Sequence, residues 1–175
     1  MIELGILGKR KNLELIRGEV VEKTPVGDSH AACVDRLNRV FMRLVDDTTA
    51  FVRIQNPIVV LDSRPEPDVV LKIALDHEYA TSAPRPDDIL LLIEVADSSL
   101  EYDRTEKLSL YAEAGVGEYW IANVNNETVE VYRDPRPDGT YTDRRVLNLD
   151  ERLNLLALPA VSIAVEQVFK SRRDS

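Results

Sequence analysis

Asp68, Glu94 and Lys107 are the residues of this chain whose types and surroundings could do chemistry together. Glu94 lies inside the apolar run ILLLIEVA, and a carboxylate there is expensive to bury unless a proton, a cation or hydrogen bonds compensate it. Asp68 immediately precedes a second β-branched run, VVLKI. Two carboxylates at the ends of neighbouring strands would make an oxygen-rich site of the kind Mg²⁺ takes, with waters and phosphate oxygens as further ligands. Such a site polarises a phosphoryl group and activates water. Lys107 has two readings. It stands four residues after Asp103, so the two could form an exposed helical pair worth a few tenths of a kcal/mol. Alternatively that helix face, which also carries Tyr111, looks into the acid site; spacing leaves both open.

The other reactive side chains carry less. His30 begins a helical pattern and His77 falls in a polar loop; two histidines without a close partner make no H-x-x-x-H zinc motif. Cys33 is the single cysteine, which excludes an internal disulfide and a cysteine-based metal cage. The chain contains no phosphate-cradling glycine motif and no G-x-S-x-G nucleophile elbow.

The elements that must position these residues follow from periodicity and turn signals. LELIRGEVVEKTP reads as two strands about Arg17-Gly18. GDSHAACVDRLNRVFMRLVDD reads as a helix capped by Asp28 or Ser29, with Val34, Leu37, Phe41 and Leu44 on its core face. AFVRIQNPIVVL reads as one or two strands, and ILLLIEVA as a central strand covered on both faces. A second helix spans about 98–114, with Asp103 and Glu106 as a capping box and Gly115 as its stop. GEYWIANV returns as a strand, and ETVEVYRD with TYTDRRVLNL forms a hairpin. LPAVSIAVEQVF reads as a strand and a turn, and the tail 170–175 as frayed. This order predicts one α/β (α+β) domain over 1–175, a mixed sheet flanked by helices with extra β-hairpins.

Composition bounds the function. Hydrophobic residues make up 44% and charged residues 30%, ordinary for a globular chain. No apolar run approaches the roughly 20 residues that span a bilayer, and the N-terminus lacks a secretory pattern, so a cytoplasmic protein without a membrane partner is expected. The formal charge of −9 disfavours non-specific polyanion binding, which rests on Lys and Arg.

PEPDVV, IEVADSS, YDRTEKLSLYAEAGVGEYWIANV and the upstream IRGEVVEKTP…DSH, in this order, resemble the Uma-two family of bacterial restriction-endonuclease-like proteins, within the PD-(D/E)XK nuclease superfamily. The resemblance runs from about Leu13 to Val131. It implies a restriction-endonuclease-like core and a metal-dependent phosphodiesterase acting on nucleic acid, with DNA as the expected substrate. Asp68 would match the aspartate of the PD half-motif and Glu94 the second acid, the two holding Mg²⁺ or Mn²⁺ with the Val95 carbonyl. The superfamily lysine normally stands two residues after that acid, where this chain has Ala96, so Lys107 would be its replacement from the following helix. Glu19 and His30 match upstream positions of the same pattern. A homodimer is compatible with this reading, since cutting two strands benefits from two sites. The alternatives are an inactive or regulatory binding module that keeps the fold, and hydrolysis of a smaller phosphoester.

Overall fold

The computed structural model describes residues 13–23, 25–74 and 82–170. His77 and the end of the tail, 171–175, lie outside the described residues. The described residues begin with a hairpin of β1 (Leu13–Ile16) and β2 (Glu19–Glu22), in which Ile16 pairs with Glu19. Its two-residue turn has φ of 49° at Arg17 and 77° at Gly18, the left-handed pair that matches strand twist.

Helix α1 (Asp28–Leu44) follows. Its N-cap is Gly27, without a side-chain cap, rather than Asp28 or Ser29; the helix begins one or two residues earlier than those caps require. Cys33, Val34, Leu37 and Phe41 are buried as the period demands, but Leu44 is 41% exposed because the helix ends there and leaves the sheet. β3 (Ala50–Ile54) and β4 (Val69–Ile73) pair antiparallel, and β4 pairs antiparallel with β5 (Ile89–Ala96).

β5 explains its own composition. Leu91, Ile93 and Val95 pack in the core beneath α1, while Leu92 and Ala96 pack in the core on the opposite face, so both faces are covered. Glu94 shares the second face by strand alternation. Each fully buried Leu, Ile or Phe contributes roughly 1.5–3 kcal/mol, which is what holds α1 on the sheet. Phe41 packs against Trp120 in that layer, with ring centroids 6.3 Å apart.

After β5 the chain crosses over through α2 (Leu100–Tyr102), a π turn (Asp103–Lys107) and α3 (Leu108–Glu113). It returns as β6 (Glu118–Asn123), parallel to β5, the pairing that needs such a crossover. The expected capping box at Asp103 and Glu106 is absent, because the helix has already begun at Leu100; Asp103 instead accepts a hydrogen bond from Ser99 Oγ at 2.6 Å. Gly115, at φ 82°, stops α3 as expected. β7 (Thr128–Pro135) and β8 (Tyr141–Leu147) complete a six-stranded sheet in the order β3-β4-β5-β6-β7-β8. β9 (Arg152–Asn154) and β10 (Ser162–Ala164) form a second small hairpin, followed by α4 (Glu166–Phe169) against α1. The result is the mixed sheet, flanking helices and added hairpins that the sequence predicts. Among the described residues no helix is long and apolar enough to cross a membrane.

Candidate functional site

Two strand ends bring the acids together. Val69 pairs with Ile93, and continuing that register by one residue sets Asp68 across from Glu94. Directly opposed residues hold their Cβ atoms about 5 Å apart. The two carboxylates open into a cavity of about 320 Å³ between the β1–β2 hairpin, the N-terminus of α1 and the π turn. Six carboxylates line it (Glu14, Glu22, Asp68, Glu94, Asp97 and Asp103) against Lys23 and Lys107.

Asp68 is held from three sides. Its Oδ2 accepts the Val95 N–H at 2.8 Å and lies 3.0 Å from His30 Nε2, and its Oδ1 accepts from Gln55 Nε2 at 3.3 Å. Burial alone would raise its pKa, but His30, the Val95 N–H and Lys107 together hold it below the usual carboxylate value. Asp68 is thus the anionic acid of the pair.

Glu94 answers the burial problem differently. Its Oε1 accepts from Lys107 Nζ at 2.9 Å and from Tyr111 Oη at 2.7 Å. Burial, then the nearby Asp68, Asp103 and Glu14, oppose ionisation more than Lys107 favours it, and the Glu94 pKa is pushed up to about 8. Burial would push Lys107 down, but Glu94, Glu14 and Asp103 overcome this and hold the ammonium above its ordinary value. Tyr111, buried beside Glu94, is raised well above its ordinary value and remains a donor.

Lys107 is therefore no surface residue. Its side chain is 6% exposed, and its ion-pair partners are Glu94 and Glu14 rather than Asp103. The exposed-pair reading is overturned: the π turn changes the angular offset of residues four apart, and Asp103 turns to Ser99. Burial pushes Asp103 up to about 6.

The structure brings Asp68, Glu94, Lys107 and His30 to one cavity but leaves Glu19 outside it. Glu19 sits exposed beside the turn of the hairpin. The glutamate that the hairpin does supply is Glu14, five residues earlier, whose side chain is 3% exposed. The signal for it was the alternation in LELI, where Glu14 falls on the same strand face as Ile16. Tyr111 was visible only as the third member of a four-residue spacing.

The donor set can be tested against a divalent cation. Among the described residues no group of three or more His, Cys, Asp and Glu side chains forms a ready cage. Mg²⁺ needs no such cage: one or two carboxylates suffice when waters and substrate phosphates complete the shell. Two opposed acids in a cavity with excess carboxylate fit that requirement.

The raised acids have a consequence for stability. Glu94 and Asp103 bind protons more tightly folded than unfolded, where carboxyl pKa values lie near about 4. Their stabilising contribution is fully present below that value and is lost as pH rises through about 6 for Asp103 and about 8 for Glu94. Asp68 has the opposite sign, but its contribution is lost only as pH falls below the ordinary carboxylate range. The metal-free protein is expected to melt at a higher temperature near pH 5 than near pH 8, roughly the window these acids define. Thermal scans in EDTA check this, and Glu94→Gln should flatten the upper part of the dependence.

Sheet order and cleft together define an α+β protein with an acidic cavity at one end of a mixed sheet. The chain matches the Uma2 family, described as "Putative restriction endonuclease", over residues 3–166, and it belongs to that family. A solved structure from Anabaena variabilis, described as "a putative nuclease belonging to DUF820", superposes with a TM-score of 0.76 at 17% identity, covering 90% of this chain and 89% of that one. At that identity the likeness concerns the fold. No curated protein matches the chain.

Proposed function

We propose that this chain is a divalent-cation-dependent endonuclease that hydrolyses phosphodiester bonds, with DNA as the substrate. The observation that carries the reading is the convergence of Asp68, Glu94 and Lys107 on one cavity from two strand ends and a crossover helix. Family membership supports a nuclease in general terms. Asp68 and Glu94 would hold Mg²⁺ or Mn²⁺, which when bound supplies Lewis-acid polarisation of a phosphoryl oxygen and a more acidic water.

The chain's own groups do the rest. Asp68 is kept anionic by its donors and so is ready to ligate without first losing a proton. Glu94 is held in place by Tyr111 and Lys107 and must give up a proton as it takes up positive charge. Lys107 keeps a fixed ammonium at the cavity wall, where negative charge would build up on a phosphoryl group. His30 fixes the orientation of Asp68 from α1.

The test is plasmid nicking with Mg²⁺, Mn²⁺ or EDTA, run beside Glu94→Ala. Nicking that requires metal and disappears with Glu94 supports the reading. A second reading is a non-catalytic binding module, favoured by the fact that Lys107 already occupies Glu94 as its partner without a metal. It would show metal-independent DNA affinity without cleavage.

His30→Ala separates two roles. Residues that orient metal-ligating side chains typically cost about 10–100-fold in metal affinity or activity when lost. One lost hydrogen bond costs about 1 kcal/mol of stability. Cleavage is therefore expected to fall far more than the melting temperature. If the two fall in step, His30 is a packing residue of the α1 N-terminus.

A further inference from the structure

The β1–β2 hairpin is stitched to the segment that delivers Asp68. The Arg64 N–H donates to the Leu15 carbonyl at 2.7 Å, and the Arg17 N–H donates to Ser63 Oγ at 2.7 Å. Two residues before Asp68, Glu14 Oε1 accepts the Glu66 N–H at 2.7 Å while Lys23 Nζ donates to the Glu66 carbonyl at 3.0 Å. The hairpin thus engages both backbone polar groups of one residue in the acid-bearing loop. At its turn, Arg17 pairs with Glu113 of α3 at 2.8 Å.

Glu14 also faces the other side of the site. Its Oε2 lies 3.4 Å from Lys107 Nζ. A buried carboxylate persists only where donors compensate it, and two of those at Glu14 come from the very elements that carry Asp68 and Lys107. Lys107 consequently stands between two carboxyl groups from different strands, Glu94 and Glu14. Without Glu14, Nζ would have Glu94 as its single close carboxyl partner, the acid that has to remain available to a cation.

We propose that Glu14 is a positioning residue that sets the place of Lys107 and ties it to the Asp68 loop; its catalytic consequence rests on the nuclease reading above. Glu14 acts through Lys107 rather than on the phosphodiester. Glu14→Gln is the discriminating change, because the amide oxygen can still accept the Glu66 N–H while the charge facing Lys107 is gone.

The experiment is a double-mutant cycle of wild type, Glu14→Gln, Lys107→Ala and the double variant, read by cleavage rate under saturating Mn²⁺ and by thermal melting in EDTA. Glu14→Gln is expected to lower kcat about tenfold with KM unchanged, and to change the rate less than about twofold once Lys107 is absent. Equal losses in both backgrounds would overturn the proposal, leaving Glu14 a merely structural residue. The melting arm does not depend on activity: effects of Glu14 and Lys107 that simply add would overturn the link as well. If wild type does not cleave but the melting effects are coupled, the nuclease reading falls and the positioning of Lys107 by Glu14 stands. Should Glu14→Gln fail to fold, Glu14→Asp, which keeps the charge on a shorter arm, replaces it in the same cycle with the same criteria.

Discussion

Lys107→Ala is expected to slow metal-saturated cleavage by two to three orders of magnitude, roughly 3–4 kcal/mol of transition-state stabilisation. The variant removes a fixed positive charge from a wall of the cavity that otherwise carries an excess of carboxylate. Unlike an exposed lysine, this one also supports the fold. Breaking a buried ion pair by removing one partner typically costs about 3–5 kcal/mol, because the other charge is left uncompensated. Here Glu94 and Glu14 both lose their shared cation, and protonation of Glu94 relieves part of the cost. The loss of stability should therefore be larger above about pH 8 than below it. Lys107→Arg should recover little of the rate, since a planar guanidinium cannot occupy the point held by Nζ between two carboxylates. Cleavage rates beside melting curves at two pH values decide the matter. A Lys107→Ala variant that cuts as fast as wild type removes this lysine from the reaction.

Asp68→Asn should abolish the stabilisation that a divalent cation confers. A ligand that binds only the folded state adds about 2.7 kcal/mol at one hundred times its dissociation constant. For a protein of this size that corresponds to roughly 5–10 °C in melting temperature. Mn²⁺ is expected to raise the wild-type melting temperature by an amount of this order and to leave Asp68→Asn unmoved. The variant should still fold without metal. An asparagine carbonyl oxygen in the place of Oδ2 can accept from both the Val95 N–H and His30, and the Gln55 amide can turn to receive the new NH₂. An unchanged Mn²⁺ increment in Asp68→Asn takes Asp68 out of the metal site.

Much of the architecture is legible residue by residue. The unbroken apolar run around Glu94 announces a strand covered on both faces, and Arg17-Gly18 announces a tight hairpin turn. Where expectations failed, a local rule lost to its neighbours. Leu44 has the right helical phase but lies where α1 has run past the sheet. Asp103 has the right capping spacing but sits inside a helix that began three residues earlier, in a turn of different pitch. Glu19 has the motif position, yet its strand leaves it in solvent, while Glu14 reaches the cavity.

Three glutamates show where local information stops. Glu94, Glu118 and Glu130 all stand in strands of the central sheet and are all buried. Glu118 is satisfied by Arg133 and the Trp120 indole N–H, and Glu130 by Arg104 and Arg144. Glu94 differs in opening onto the cavity, with a lysine from the crossover helix as its partner. By itself the sequence determined the order of the central-sheet strands and of the two long helical segments, the two-sided burial of β5 and the types of side chain available, because periodicity and turn chemistry act over a few residues. The short β9 and α4, where the tail reads as a strand and a turn, were not legible in it. Only the tertiary structure decided that Lys107 meets Glu94 and Glu14 instead of Asp103, and that His30 meets Asp68 across 38 residues of chain. Those pairings depend on how the hairpin, α1 and the π turn pack around one end of the sheet, which contacts at long sequence separation settle and local spacing does not.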